Sequence, residues 1–232
     1  ERLQAYYRIA ELSEDKLMDP EGTLRVYLRA LKEAPLDEKT GEELPRLAGA
    51  VDQGWETLAN GYADVIGVHE DKTVQAVIGK RLARTFEDEL GDITKAEETY
   101  KYVLTVDPLE AESLANLDRI YLSLESFTEL AEVLEQRVKA TTEPVDLVDL
   151  HARLGEIYET KLEKLDDAIR VYRRIFDDLD KSHEGAIAAL ARIYETRENW
   201  RELNEVHERE LTVATGDVAE AEIRAKIARL AS

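Results

Sequence analysis

Three arginines, Arg46, Arg119 and Arg192, recur at intervals of 73 and 73 residues. A guanidinium is a planar, permanently charged fork that grips a carboxylate through paired N–H donors, so a periodic set of them is a means of reading acidic groups. Other chemistry is poorly provided for. The four histidines, His69, His151, His183 and His207, are scattered, and no HExxH or paired-ligand spacing occurs. In "HERE", 207–210, His207 and Glu210 stand at i and i+3, a spacing that can hold a metal, but on so acidic a helix the pair reads as a solvated face. "DDLDKSHE", 177–184, alternates oxygen donors as a calcium loop begins, yet it lacks the turn glycine and the closing glutamate. There is no glycine-rich phosphate loop, no nucleophile elbow and no cysteine. The expectation is a chain that is not an enzyme, with no catalytic set, no cofactor and no metal.

Charge bounds the partners. Fifty-one acidic and 31 basic side chains in 232 residues give a net charge of −20. Such a surface repels phosphate backbones and anionic lipid, which argues against nucleic acid and membrane surfaces. No apolar run approaches the roughly 18 to 20 residues a spanning helix needs. The lack of cysteine fits a reducing compartment, and the expected location is cytoplasmic. Protein or peptide partners remain.

The elements that must carry these residues read as helices. Leu150, Leu154, Ile157 and Tyr158 fall on one stripe, as do Leu114, Leu117, Ile120 and Tyr121, and Ala168, Val171, Tyr172 and Ile175. Breaks come at even intervals: "MDP" at 18–20, "APLD" at 34–37, "LGD" at 90–92, "VDP" at 106–108, "TTEP" at 141–144, "LDKSH" at 179–183 and "TGD" at 215–217. Proline stands where a helix can begin, glycine or aspartate where one can stop. The one "NG", at Asn60-Gly61, lies inside a helical pattern. The spacing predicts about thirteen helices of common length and no sheet.

The pattern repeats. Arg8, Arg81, Arg153 and Lys226 open successive copies at intervals of 73, 72 and 73, and Tyr27, Tyr100 and Tyr172 keep step with them. Trp55, Phe127 and Trp200 mark the second half of each copy, in "QGWETL", "ESFTEL" and "ENWREL". Each long repeat is therefore two helical hairpins, of about 38 and 35 residues, and a hairpin of that size buries its apolar face only by stacking on its neighbours. The expected organisation is one solenoid over 1–232, with long repeats at about 8–80, 81–152 and 153–225 and a last helix at about 218–231. By register, Glu1 aligns with Val74 and Ser232 with Glu159, so the array is expected to be a segment of a longer one.

The residues resemble the tetratricopeptide repeat, in a divergent, bacterial-type array. "SLANLDRIY" places Leu114, Leu117 and Tyr121 at the large and aromatic positions of a first helix, with Leu130 and Leu134 in its partner. Gly155 and Tyr158, then Ala168 and Tyr172, match the small and aromatic positions; Ala96, Tyr100 and Val103 before "VDP" match best, and Thr23, Tyr27 and Ala30 before Pro35 keep the spacing. Trp200 and Phe127 match the bulky residue that opens a second helix, read as a packing wedge. Residues 36–68 fit poorly.

The resemblance implies an all-α right-handed solenoid of about six hairpins whose concave face is built from the first helices. At the family's ninth position the chain reads Glu11, Arg46, Arg84, Arg119, Glu156 and Arg192, with Lys80 and Asn116 beside them. Arg46, Lys80, Arg84, Asn116, Arg119 and Arg192 are thus the expected partner-binding residues, akin in kind to the carboxylate clamp of chaperone-binding tetratricopeptide domains but without its full set. The competing reading is that these arginines pair with glutamates along and between helices. The expected function is a non-catalytic protein-interaction scaffold that takes an acidic segment in its groove. The alternatives are an architectural or self-associating spacer, with Ile227 and Leu230 at its exposed end, and a small-molecule sensor marked by a polar cavity near Trp55 or Trp200.

Overall fold

The computed structural model describes residues 1–230, and among them it contains thirteen α-helices and no strand. In chain order these are α1 (Arg2–Asp15), α2 (Pro20–Glu33), α3 (Glu38–Ala50), α4 (Gly54–Val68), α5 (Lys72–Arg84), α6 (Ile93–Val106), α7 (Ala111–Ser123), α8 (Phe127–Ala140), α9 (Pro144–Thr160), α10 (Leu165–Arg174), α11 (Glu184–Thr196), α12 (Trp200–Val213) and α13 (Asp217–Leu230). The final helix expected over 218–231 is present to Leu230; residue 231 and the register position of Ser232 lie outside the described residues. By internal packing the chain forms two compact units, Glu1–Ile120 and Tyr121–Ser232, the boundary falling inside α7.

Aspartates start many of the helices. Asp19 accepts the N–H of Gly22, Asp37 that of Thr40, Asp71 that of Thr73 and Asp92 that of Lys95, each relieving a donor that the first turn leaves unpaired. Pro20 and Pro144 occupy first-turn positions that need no donor. "DDLDKSHE" is a helix start as well: the Asp180 carboxylate accepts the Ser182 N–H at 2.9 Å and hydroxyl at 2.7 Å, and His183 Nδ1 accepts the Ala186 N–H at 3.0 Å. Pro45 lies in the interior of α3, where it leaves the carbonyl four residues back, on Gly41, without its helical donor.

The turns within hairpins reproduce the long repeat. One residue in each is left-handed: Met18, Gly91 and Glu163 in the longer hairpins, Gln53, Glu125 and Glu198 in the shorter ones. Of glycine and aspartate, the expected stops, only glycine takes one of these six positions, at Gly91; the other five carry side chains in a conformation that disfavours them. The backbone around them compensates with bonds. Glu125 N–H reaches the Leu122 carbonyl at 3.3 Å and Ser126 N–H the Tyr121 carbonyl at 2.9 Å, a Schellman closure that Glu198 and Asn199 repeat on Glu195 and Tyr194. In the longer hairpins the reach is wider: Asp19 N–H bonds the carbonyl of Ser13, Asp92 that of Phe86 and Lys164 that of Tyr158, six residues back each time. Their extra residues are absorbed there, and π turns extend α5 over Thr85–Glu89 and α10 over Ile175–Leu179.

In the unit Glu1–Ile120, each of α1 to α5 packs on its successor, and α2 also touches α4. Its core holds Leu24, Leu31, Leu44, Leu58, Tyr62 and Ile78, all at 2% exposure or less, with Trp55 packed against it. In the unit from Tyr121 onward, each of α8 to α12 packs on its successor around Leu130, Leu154, Ile175, Phe176, Leu190 and Val206. Gly155 is the small residue the crossing of α9 and α10 requires, since a Cβ there would sit 2.5 Å from the Tyr172 ring. Trp200 is less of a wedge than expected: it remains 48% exposed at the start of α12.

Candidate functional site

The six expected site residues lie where the first helices of hairpins run: Arg46 on α3, Lys80 and Arg84 on α5, Asn116 and Arg119 on α7, and Arg192 on α11. The first five belong to one unit and Arg192 to the other. Every cation of the set holds a carboxylate. Arg46 Nη2 is 2.9 Å from Glu14 Oε1 and 2.6 Å from Glu43 Oε2. Lys80 Nζ lies 3.0 Å from Glu110 and 3.5 Å from Glu112, and Arg84 2.5 Å from the same Glu112. Arg119 pairs with Glu87, and Arg192 Nη2 is 2.7 Å from Glu159 Oε1. Asn116, half-buried, stands one helical turn beyond Glu112 on α7.

These pairs share a plan that the sequence reading did not contain. Glu14, Glu87 and Glu159 succeed one another at 73 and 72 residues, in step with Arg46, Arg119 and Arg192. Behind two of them lies a buried tyrosine from the hairpin's second helix: Tyr100 donates to Glu87 at 3.2 Å and Tyr172 to Glu159 at 3.3 Å. In the first copy Tyr27 occupies the matching place, and its phenol is pushed up to about 12 by burial and then by the charges of Glu43, Tyr7 and Glu14. Burial and the adjacent Glu87 or Glu159 likewise hold the phenols of Tyr100 and Tyr172 well above their ordinary value. The second and third long repeats therefore contain a tyrosine, a glutamate and an arginine stacked from core to surface, whereas in the first Glu14 is itself 41% exposed beside Arg46. The tyrosines were legible as core; the glutamates had the same periodicity and would have been found by searching it.

Exposure is divided unequally within the pairs. The side chains of Glu87 and Glu159 are 6% and 11% exposed, those of Arg119 and Arg192 59% and 60%. In the Lys80 pair the cation is sunk as well: Glu110 is 14% and Lys80 25% exposed. Burial pushes the Glu110 carboxyl up, but the Ser113 N–H and the Lys80 ammonium outweigh it and hold the group below its usual range. The solvent side of α5 and α7 at this point is consequently made of guanidinium groups over sunken carboxylates.

A second structure of this kind was not foreseen. Arg173 on α10 donates through Nη1 and Nη2 to both oxygens of Glu205, at 2.9 and 2.8 Å, and through Nε to the Tyr194 hydroxyl at 3.1 Å, while lying over the rings of Phe176 and Tyr194. The expected solvated face at 207–210 is corrected: His207 is 7% exposed on the inner stripe of α12 with Leu203 and Val206, and its Nδ1 lies 2.8 Å from Glu210, which Lys226 also reaches at 3.3 Å. Among the described residues no group of three or more His, Cys, Asp or Glu could hold a metal ion, and no helix is long and apolar enough to cross a membrane. A cleft of 790 Å3 opens between α11, α12 and α13, with Ile187, Ala191 and Ile223 in its walls and Arg192 and Lys226 among its polar groups.

The family model for the tetratricopeptide repeat matches residues 186–220, the segment that holds α11, α12 and the start of α13. Solved structures similar to the chain include MamA, at 16% identity over 93% of this chain and 95% of that one with a TM-score of 0.41. PilF of Pseudomonas aeruginosa is 14% identical over 98% and 83% of the two chains, with a TM-score of 0.40. A tetratricopeptide repeat protein from Parabacteroides merdae is 17% identical over 97% and 86%, with a TM-score of 0.40. No curated protein sequence matches the chain. The tetratricopeptide match thus falls on the hairpin of α11 and α12, and helical hairpins of similar size precede it among the described residues.

Proposed function

We propose that this chain is a non-catalytic protein-binding scaffold and that the face formed by Lys80, Arg84, Asn116 and Arg119 receives an acidic segment of a partner protein. Stacked hairpins present a preformed surface, which lowers the ordering cost of capturing an extended or helical segment. The observation that carries the reading is the vertical order of charge in the ion pairs, with glutamates sunk to 6% and 14% exposure beneath Arg119 and Lys80, and Arg84 open at 57%. A chain of net charge −20 repels anions as a whole, yet this patch offers N–H donors with two of its counter-charges, Glu87 and Glu110, held inward, while Glu112 under Arg84 is 31% exposed. Arg192 over Glu159 repeats the device in the other unit.

The test is fluorescence anisotropy with a labelled peptide of alternating glutamate and leucine, beside a lysine counterpart. Binding of the acidic peptide alone is expected, weakening as salt rises and falling at least tenfold in an Arg84→Gln, Arg119→Gln variant whose helicity is unchanged. Equal binding of both peptides, or undiminished binding in the variant, would sink the proposal.

A further inference from the structure

Within the unit Glu1–Ile120, a cleft of 280 Å3 lies between α3, α4 and α5. Gly41 and Pro45 form one wall, Trp55 and Tyr62 another, and Arg81 a third. Lys80 and Arg84, on either side of it in sequence, each hold a carboxylate. Arg81 does not follow them: its Nη1 is buried and has no hydrogen-bond partner. The guanidinium is instead laid against α3 at Gly41, where a Cβ would stand 2.9 to 3.1 Å from Nη2, Nη1 and Cζ. Glycine is thus what lets the charged group lie there, beside the helix that carries Pro45 in its interior. A buried charged donor without an acceptor is destabilising by itself, and an acceptor that draws the guanidinium from Gly41 into the cleft it lines removes that penalty.

We propose that this cleft binds a single carboxylate on a short planar or apolar stem, gripped by Arg81 and walled by Trp55 and Tyr62. The volume falls just below that of ligand pockets, which run from about 300 to 1,000 Å3, and so suits a small ligand. Aromatic walls suit an apolar stem beside the ion pair. Arg84, already paired with Glu112, lines the cleft as well, and so do Asp88 and Glu89, which are exposed. They disfavour a polyanion, so the ligand carries one negative charge and is no phosphate. The carboxylate comes either from a free organic acid or from the side chain of a bound protein. Arg84 borders both sites, but the inference does not rest on the acidic-segment reading, because the gripping residue, Arg81, takes no part in the pairs of Lys80, Arg84 and Arg119.

The chain contains two tryptophans, so Trp200→Phe leaves Trp55 as the only such reporter, on the wall of the cleft. In that background the emission is titrated with phenylacetate, with phenylacetamide and with inorganic phosphate at constant ionic strength. Phenylacetate alone is expected to give a saturable change. Its affinity should fall at least tenfold in Arg81→Gln, and also in Gly41→Ala, which keeps the guanidinium but displaces it. Arg119→Gln should leave phenylacetate binding unaltered, which separates a failure of this inference from a failure of the peptide-binding face. An equal response to the neutral amide, an affinity untouched by Arg81→Gln, or no saturation at all would overturn the proposal. A capped peptide with one glutamate, run in competition, assigns the source: tighter binding than phenylacetate places the carboxylate on a protein partner, weaker binding on a small molecule, and either result upholds the site.

Discussion

At the scale of single residues, the recurrent ion pairs differ in one measurable respect. Glu87 and Glu159 are nearly covered, while Glu14 is 41% exposed. Removing the arginine from a covered pair strands a carboxylate, and Arg119→Ala or Arg192→Ala should each cost about 1 to 3 kcal/mol in urea denaturation. Arg46→Ala frees carboxylates that water can reach and should cost about 1 kcal/mol or less. Two glycines make a second contrast. Gly155→Ala drives a methyl group into the Tyr172 ring and should lose about 1 to 3 kcal/mol, whereas Gly67, near the end of α4, has nothing within 4 Å of the added Cβ. Gly67→Ala should raise the melting temperature, by about 0.5 to 1 kcal/mol of stability. The arginines and their glutamates share one spacing in the sequence, but the spacing does not pair them. With 51 acidic residues in the chain, an arginine always has a glutamate nearby in sequence, and only the packing of hairpins decides which one it meets.

At the scale of elements, helix positions and their burial were largely readable because apolar stripes and aspartate caps are local signals. The turns were not, because the left-handed residue is a glutamate at Glu125, Glu163 and Glu198, and nothing in that residue type announces the conformation. These sites are open to improvement. Replacing any of the three by glycine relieves a strained backbone, and a gain of about 0.5 to 1 kcal/mol each is expected from thermal or chemical melts. Gly91→Ala should move stability the other way, since Gly91 has φ +63°. The start of α11 offers a further case: His183 caps it through a ring nitrogen, and His183→Asp supplies a carboxylate better suited to a helix N-terminus. A gain of about 0.5 to 1 kcal/mol should appear in the same melts. The corrected reading at 207–210 has the same origin as the missed turns. Charge along a helix does not reveal which side is covered, and His207 faces inward because it shares the stripe of Leu203 and Val206.

For the molecule as a whole, stability is bounded by two kinds of proton. Hydrogen bonds from Arg173 hold the Glu205 carboxyl below its usual range, and at Glu110 the Ser113 N–H and Lys80 outweigh burial to the same effect. A carboxyl lowered in the folded state contributes stability above its unfolded value of about 4 and loses it as pH falls. The tyrosines act at the other end. Burial, reinforced by nearby carboxylates, pushes Tyr27 and Tyr158 up to about 12 from an ordinary value of 10.0, and Tyr100 and Tyr172 also upward. A phenol raised in this way contributes fully below pH 10 and loses its contribution as pH climbs towards the folded value. Helical circular dichroism followed from pH 9 upward should therefore show a steep alkaline unfolding, and Tyr158→Phe should shift it to higher pH. The fold class was legible because repetition multiplies weak local signals; the Arg81 cleft was not, because Gly41, Trp55 and Arg81 meet only through the crossing of three helices.

The pairs Glu14 with Arg46, Glu87 with Arg119 and Glu159 with Arg192 each close inside one long repeat. A recombination event that gained or lost a single hairpin would separate an arginine from its glutamate, whereas one that moved four helices together would leave every pair whole. Such a gene is consequently expected to lengthen or shorten in steps of about 73 codons rather than about 34, the length of one tetratricopeptide hairpin.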